Sequence, residues 1–279
     1  AIVNCSAGLS ITADDVLCMA VTLIRIDHPQ ARWDGKPLSK RHGDVAVGRF
    51  RELGFLPEAM VNFMALLGWS LDDSTTIMDC DTLVQNFSLD RVGSKPAVWD
   101  IDKLIWMNGQ YIMAMSDEEL AGHVFPVLVK EGLVTEDYQD ARHILERAAP
   151  LIRERMKRLN DALPMVAFLF QEIEVEEDSL ELLQGEDNQR IIKETGKKLL
   201  ELDKFEAEAI EAALRSMAED LALKPRKAFQ PVRVAIAGSK VSPPLFESIE
   251  LLGRERTMQR LAHALEIEQG GAEAMEEEI

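Results

Sequence analysis

Apolar residues in this chain recur mostly every three or four positions, the spacing of helices buried along one side. The clearest run is Phe50, Leu53, Phe55, Leu56, Met60, Phe63, Met64 and Leu67. Pro57 is placed to open the second of two helices there, at a position where its missing N–H costs little, and Gly68 to end it. A short helix is expected around Leu83 to Phe87, opened by Asp79 or Asp81. Asp100 reads as the N-cap of the next helix and Gly109 as its stop. Ser116 and Glu119 have the spacing of a capping box, which predicts a helix through Lys130 that ends at Gly132. Glu136 to Leu163 reads as one or two helices with a kink at Pro150, and Pro164 opens another. Asp187–Leu202 and Glu206–Leu221 are amphipathic. Val232–Ala237 is read as helix in this company, and Pro243–Leu252 with Glu255–Glu266 makes a final pair. Gly270 to Ile279 has little to bury and is expected to fray. Before residue 36, Ile24 to His28 could close a strand and Trp33-Asp34-Gly35 reads as a turn; Lys36 to Asp44 is a polar loop. The pattern therefore predicts a mainly α chain, with the acidic stretch Glu172–Asp178 as the junction between two helical lobes.

Composition agrees with folded domains. Of 279 residues, 47% are hydrophobic, enough for about two domains. No apolar run approaches the roughly 18 residues of a membrane span, and no basic-then-apolar leader is present, so no membrane partner is expected. Cys5, Cys18 and Cys80 are far apart and without zinc-ligand spacing, so no protein-bound metal or disulfide framework is expected and a reduced, cytoplasmic setting fits. The net charge of -18 argues against nucleic acid when taken alone, because phosphate binding rests on Lys and Arg. Local basic clusters occur nonetheless, at Lys36–Arg41, Arg49/Arg51, Arg153–Arg158 and Lys224–Lys227. Each could be a solvated helix face or a phosphate footprint.

Three blocks make the second reading concrete. Gly35-Lys-Pro-Leu-Ser-Lys-Arg-His-Gly43 resembles the KMSKR signature of class I aminoacyl-tRNA synthetases, in the form common in glutamyl enzymes. Two cations and a hydroxyl on a loop suit a triphosphate, whose leaving pyrophosphate they can stabilise. Gly54 to Ser70, then Ala97-Val-Trp-Asp100, Lys103-Leu104 and Trp106 to Ile112, resemble the helical connector that follows that loop. Gln230 to Gly238, Ser242-Pro-Pro-Leu-Phe246 and Leu251-Leu-Gly-Arg-Glu255 resemble the distal anticodon-binding lobe. Order and spacing hold over about residues 34–266. The chain thus resembles the C-terminal portion of a bacterial-type glutamyl-tRNA synthetase.

The resemblance implies a remnant of a Rossmann-like α/β catalytic domain over 1–45, a helical stem-contact connector over 46–114, and a two-lobed all-α anticodon-binding domain. Its lobes would span 115–178 and 179–279. It implies that Lys40 is catalytic and binds ATP with Ser39 and Arg41, and that Mg2+ accompanies the nucleotide. Arg25 would handle the substrate carboxylate. Arg153 and Arg155 would approach the third anticodon base, with Arg155 suited to two-point reading of a base edge. Arg233, Ser242 and Leu245 would contact the anticodon loop, although Ser242, before Pro243-Pro244, could equally cap a helix. Trp69, Trp99 and Trp106 are expected in the core. Partners would be glutamate tRNA, ATP and L-glutamate, with the protein a monomer. Departures are also plain. Pro37 replaces the motif's first lysine, Ile26 a glycine, Ala7 a tyrosine, and no His-x-Gly-His pair occurs. Two functions stay open at this point: a glutamate–tRNA ligase to which this chain contributes, or a tRNA-binding module without catalysis. A third reading, an acidic helical scaffold, predicts no tRNA affinity.

Overall fold

The computed structural model describes residues 32–33, 36–37, 47–92 and 99–276. Arg25, Ser39, Lys40, Arg41 and the expected strand at Ile24–His28 lie outside them. The first described pieces are strands β1 (Arg32–Trp33) and β2 (Lys36–Pro37), paired antiparallel with Trp33 opposite Lys36. Of the turn expected at Trp33-Asp34-Gly35, Asp34 and Gly35 lie outside the described residues. Lys36 and Pro37, expected to begin a polar loop, form the second strand instead. Among the described residues every other regular element is helical. The described chain divides into two compact units: residues 1–124 with 153–162, and residues 125–152 with 163–279.

The first unit holds α1 (Val47–Glu52), α2 (Pro57–Ala65), α3 (Cys80–Asn86), α4 (Ile101–Ala114) and the start of α5 (Asp117–Lys130). Pro57 takes the first helical position of α2, as expected, and Asp79 rather than Asp81 caps α3 by accepting from the Thr82 N–H at 2.7 Å. α2 is buried on two sides. Met60, Phe63 and Met64 join Phe50, Phe55, Leu104 and Met107, while Val61 joins Trp69, Met78 and Leu83. Trp99 is partly buried and meets Phe63 edge-on at 5.0 Å.

Two expectations for α4 are corrected. Gly109 does not stop the helix, which continues to Ala114. It permits close approach: a Cβ there would sit 2.8 Å from Lys157 Cδ. Trp106 is not core but 45% exposed. The buried face of α4 carries Leu104, Asn108 and Ile112, and two residues turn a helix by roughly 200°.

The second unit holds the end of α5, α6 (Gln139–Ile152), the short α7 (Leu163–Val166), α8 (Glu186–Leu200), α9 (Ala207–Asp220), α10 (Pro225–Ala237), α11 (Leu245–Leu252) and α12 (Arg254–Glu276). α8 lies at its centre, packed by α9, α10 and α12, and its Ile191, Ile192 and Leu199 are fully buried. α6 contains Pro150, the residue at which a kink is expected, and runs to Ile152 before tightening into a 3-10 turn. α12 continues past Gly270 to Glu276 rather than ending near Glu266, because Ala272, Ala274 and the glutamates are good helix formers. Glu172–Asp178 runs within this unit, and the Glu176 N–H donates to the Gly238 carbonyl at 2.9 Å.

Three arginines of α12 close helix ends from inside. Arg254 donates to the carbonyls of Leu199, Leu200 and Leu202 after α8. Arg256 reaches the Leu169 carbonyl at 2.5 Å. Arg260, 5% exposed, donates to the carbonyls of Ile236, Phe168 (2.5 Å) and Gln171 (2.9 Å). Burial, with Arg256 beside it, pushes the Arg260 guanidinium down to about 10. No described helix is long and apolar enough to cross a membrane.

Candidate functional site

The first of two cationic surfaces begins where α6 ends. Ile152 and Met156 are buried, and in the 3-10 turn between them, Arg153–Arg155, Glu154 and Arg155 are exposed while Arg153 is largely covered. The following residues, to Ala162, are bonded into the first unit by contacts spread along their length. Arg153 forms an ion pair with Asp117, in the first turn of α5. Asn108, fully buried on α4, donates to the Lys157 carbonyl at 2.6 Å and accepts from the Leu56 N–H at 2.8 Å. The Leu159 N–H donates to the Gly54 carbonyl at 2.9 Å, and Asn160 Nδ2 to the Glu52 carbonyl at 2.8 Å. Gly54 has φ +85°, and a Cβ there would lie 2.7 Å from the Asn160 nitrogen. Only glycine allows that turn and that approach together.

Asp161 closes the basic segment on itself, accepting from the N–H groups of Lys157 (2.9 Å) and Arg158 (2.8 Å) and pairing with the Arg158 guanidinium at 3.3 Å. Arg153 and Arg158 are committed to carboxylates. Arg155 is exposed, and so is Lys157, whose stem crosses Gly109 and which has no ion pair among the described residues. Reading the sequence missed Asn108, Gly54 and Asp117. A polar residue at a buried helical position, between Leu104 and Ile112, was the available signal for the first.

The second surface is the face of α10 and the turn after it. Arg233 donates to Ser242 Oγ and, at 2.9 Å, to the Pro243 carbonyl. Ser242 is 7% exposed and donates to the same carbonyl at 2.9 Å. It does not cap α11, whose N-cap position is Pro244. Leu245 is buried in the core. Lys240 bonds to the Asp178 carbonyl and lies 3.5 Å from Glu181, while Ser239 donates to Glu176 at 2.8 Å. These bonds hold up a tight turn whose tip, Val241, is 75% exposed. The structure thus brings Arg233 and Ser242 together, with Leu245 beneath the same turn.

Among the described residues no group of three or more His, Cys, Asp or Glu side chains is arranged to hold a metal ion. Among the described residues, then, cations gather at two turns, one in each unit.

Comparison with known proteins gives this a context. Residues 119–265 match the anticodon binding domain family, and residues 21–106 match the catalytic domain of class I tRNA synthetases of the E and Q type. A glutamate–tRNA ligase of Roseiflexus sp. (strain RS-1) is 39% identical over 241 residues, covering 85% of this chain and 48% of that protein. One from Saccharopolyspora erythraea is 40% identical over 230 residues, covering 81% and 46%. The crystal structure of a glutamate tRNA ligase from Elizabethkingia meningosepticum, in complex with its amino acid, superposes with TM-score 0.72 at 28% identity. It covers 86% of this chain and 50% of the other. The chain spans about half the length of the curated relatives it matches.

Proposed function

The chain belongs to the glutamyl-tRNA synthetase family and carries its anticodon-binding domain, and we propose from that premise that it recognises glutamate tRNA for a glutamate–tRNA ligase. The observation that carries the reading is that one anticodon-binding match spans both cationic surfaces, Arg153–Arg158 and Lys224–Ser242. In the proposed division of labour Arg155 reads the third anticodon base. Arg153 fixes the turn through Asp117. Arg233, Ser242 and Leu245 present the Ser239–Pro244 turn to the anticodon loop. RNA loops are read by splayed bases against such fixed edges.

Class I synthetases use ATP, and Lys40, with Ser39 and Arg41, is proposed to meet its phosphates, Arg25 the glutamate carboxylate. Mg2+ would enter with the nucleotide. The connector over 46–114 and lobes over 115–178 and 179–279 are retained as the proposed functional divisions, working as a cytoplasmic monomer. The second reading, a tRNA-binding module without catalysis, draws on the lack of a His-x-Gly-His pair in these 279 residues.

The test is fluorescence anisotropy of the chain with glutamate tRNA against the same tRNA with a mutated anticodon, at two salt concentrations. Anticodon-dependent binding that weakens with salt is the expected result. Binding blind to the anticodon, or none, overturns the reading.

A further inference from the structure

Two helix ends of the second unit carry charge that runs against the helix dipole. A helix favours acidic residues in its first turn and basic ones in its last. α10 does the opposite at its start: its first turn holds no acidic residue, and Lys224, Arg226 and Lys227 gather there, all exposed. α12 does the opposite at its end: its last turn holds no basic residue. From Leu261 to Glu276 the sequence carries Glu266, Glu268, Glu273 and Glu276 with no Lys or Arg. Each arrangement is unfavourable alone.

Packing on α8 brings the two ends to one level. A Cβ at Gly196 would lie 3.5 Å from Met258 Cε, and Gln189 donates to the Ala264 carbonyl at 3.2 Å. α12 therefore runs antiparallel to α8, toward the α8 N-terminus. From Ala264 to Glu276 it rises about 18 Å, whereas α8 has only about 5 Å of helix before Gln189, so α12 passes the start of α8 by about 13 Å. The start of α10 lies at that same level, because Lys227 is 3.4 Å from Asp187 in the first turn of α8. α10 packs against both α8 and α12. The acidic end of one helix is thus carried alongside the basic start of another.

We propose that the last turns of α12, Glu266 to Glu276, and the first turn of α10, Lys224 to Lys227, form an electrostatic contact within the chain that a polyanion must displace to reach those cations. The α12 segment is the occupant because its charge is opposite and each end offsets the dipole mismatch of the other. Lys227 and Asp187 form an exposed pair of little energetic weight, which leaves Lys227 available to a denser acidic neighbour. The contact stands on charge and register; only its consequence for RNA rests on the tRNA reading above.

A zero-length carbodiimide, which joins a lysine amine to a carboxylate touching it, reads the contact directly. In the single-chain band at about 0.05 M salt, mass spectrometry should find Lys224 or Lys227 joined to Glu268, Glu273 or Glu276. Raising salt to about 0.3 M should reduce the yield, because the screening length falls from about 14 Å to about 6 Å. The Lys227–Asp187 product is the positive control. That product alone, or the new products only between two chains, would overturn the contact. The consequence is read by anisotropy with a fluorescein-labelled anticodon stem–loop RNA. Glu268→Gln/Glu273→Gln/Glu276→Gln is compared with Glu201→Gln/Glu208→Gln/Glu219→Gln, which removes equal charge at exposed positions of the same unit. Exposed ion pairs contribute about 1.4- to 5-fold each, so releasing two should raise affinity about 2- to 25-fold, with a smaller change in the control. Equal changes in both variants would mean a global charge effect and overturn the displacement. Cross-links in a chain that binds no RNA would overturn the tRNA reading and leave the contact standing.

Discussion

Arg155 and Asn108 stand on opposite sides of one design. Arg155 is exposed at the surface, while Asn108 is buried and bonded within the fold. A bidentate contact to a base edge contributes roughly 1–3 kcal/mol of discrimination. Arg155→Gln is therefore expected to narrow the preference for cognate tRNA over a third-position anticodon mutant by about 5- to 150-fold, with little change in stability. Equal preference in variant and wild type, measured as a ratio of Kd values, would remove Arg155 from the reading site. Asn108→Ala instead strands the buried Leu56 N–H and the part-buried Lys157 carbonyl. At roughly 1–3 kcal/mol for each orphan, urea denaturation should show a loss of about 2–6 kcal/mol. RNA affinity should fall too, because the Arg155–Lys157 segment loses an anchor.

At the scale of elements, local chemistry was legible and remote chemistry was not. Pro57, the Asp79 cap and the Ser116/Glu119 box are each decided within four residues, and each appears where the spacing placed it. Gly109 was read as a stop because the segment that needs its small size arrives 48 residues later, at Lys157. The buried bonds of Arg254 and Arg260 were not legible, since nothing nearby in sequence announces the carbonyls they reach. Arg233 and Ser242 were identified by resemblance, but their mutual bond was not legible, and neither was the burial of Leu245. The capping box gives α5 a pH dependence. Glu119 accepts from the Ser116 N–H at 2.8 Å and from its hydroxyl at 2.9 Å, which holds the carboxyl below the usual glutamate range. A depressed value in the folded state stabilises above the unfolded pKa of about 4.3, and that contribution disappears as pH falls through the folded value. Glu119→Gln should thus lower the urea midpoint at pH 7, with the gap closing in acid. Ser116→Ala should cost about 1 kcal/mol at pH 7 and keep part of its effect in acid, because it also removes the bond to the Glu119 N–H. A Glu119→Gln gap that persists unchanged to about pH 3 would rule out the box as its source.

The whole molecule carries a net charge of -18, so any affinity for tRNA must come from placement rather than from total charge. Each unit supplies one cationic surface, with Arg155 and Lys157 on the first and Arg226 and Lys227 on the second. Four phosphate contacts at ~0.7 each give a salt slope near -3, so raising salt from about 0.05 to 0.2 M should weaken binding about fifty-fold. A global charge effect points the other way: salt would screen the repulsion between an acidic protein and RNA, and binding would strengthen or stay level. The sign of the slope therefore separates the two accounts in one titration. Catalysis is separable as well. Glutamate-dependent ATP–pyrophosphate exchange needs an adenine pocket, and these 279 residues carry no His-x-Gly-His pair to build the family's version. The chain by itself is expected to bind glutamate tRNA with that negative slope and to show no exchange. Exchange above background would mean that the segment around Lys40 completes a nucleotide site without that signature, and the division between recognition and chemistry drawn here would fall.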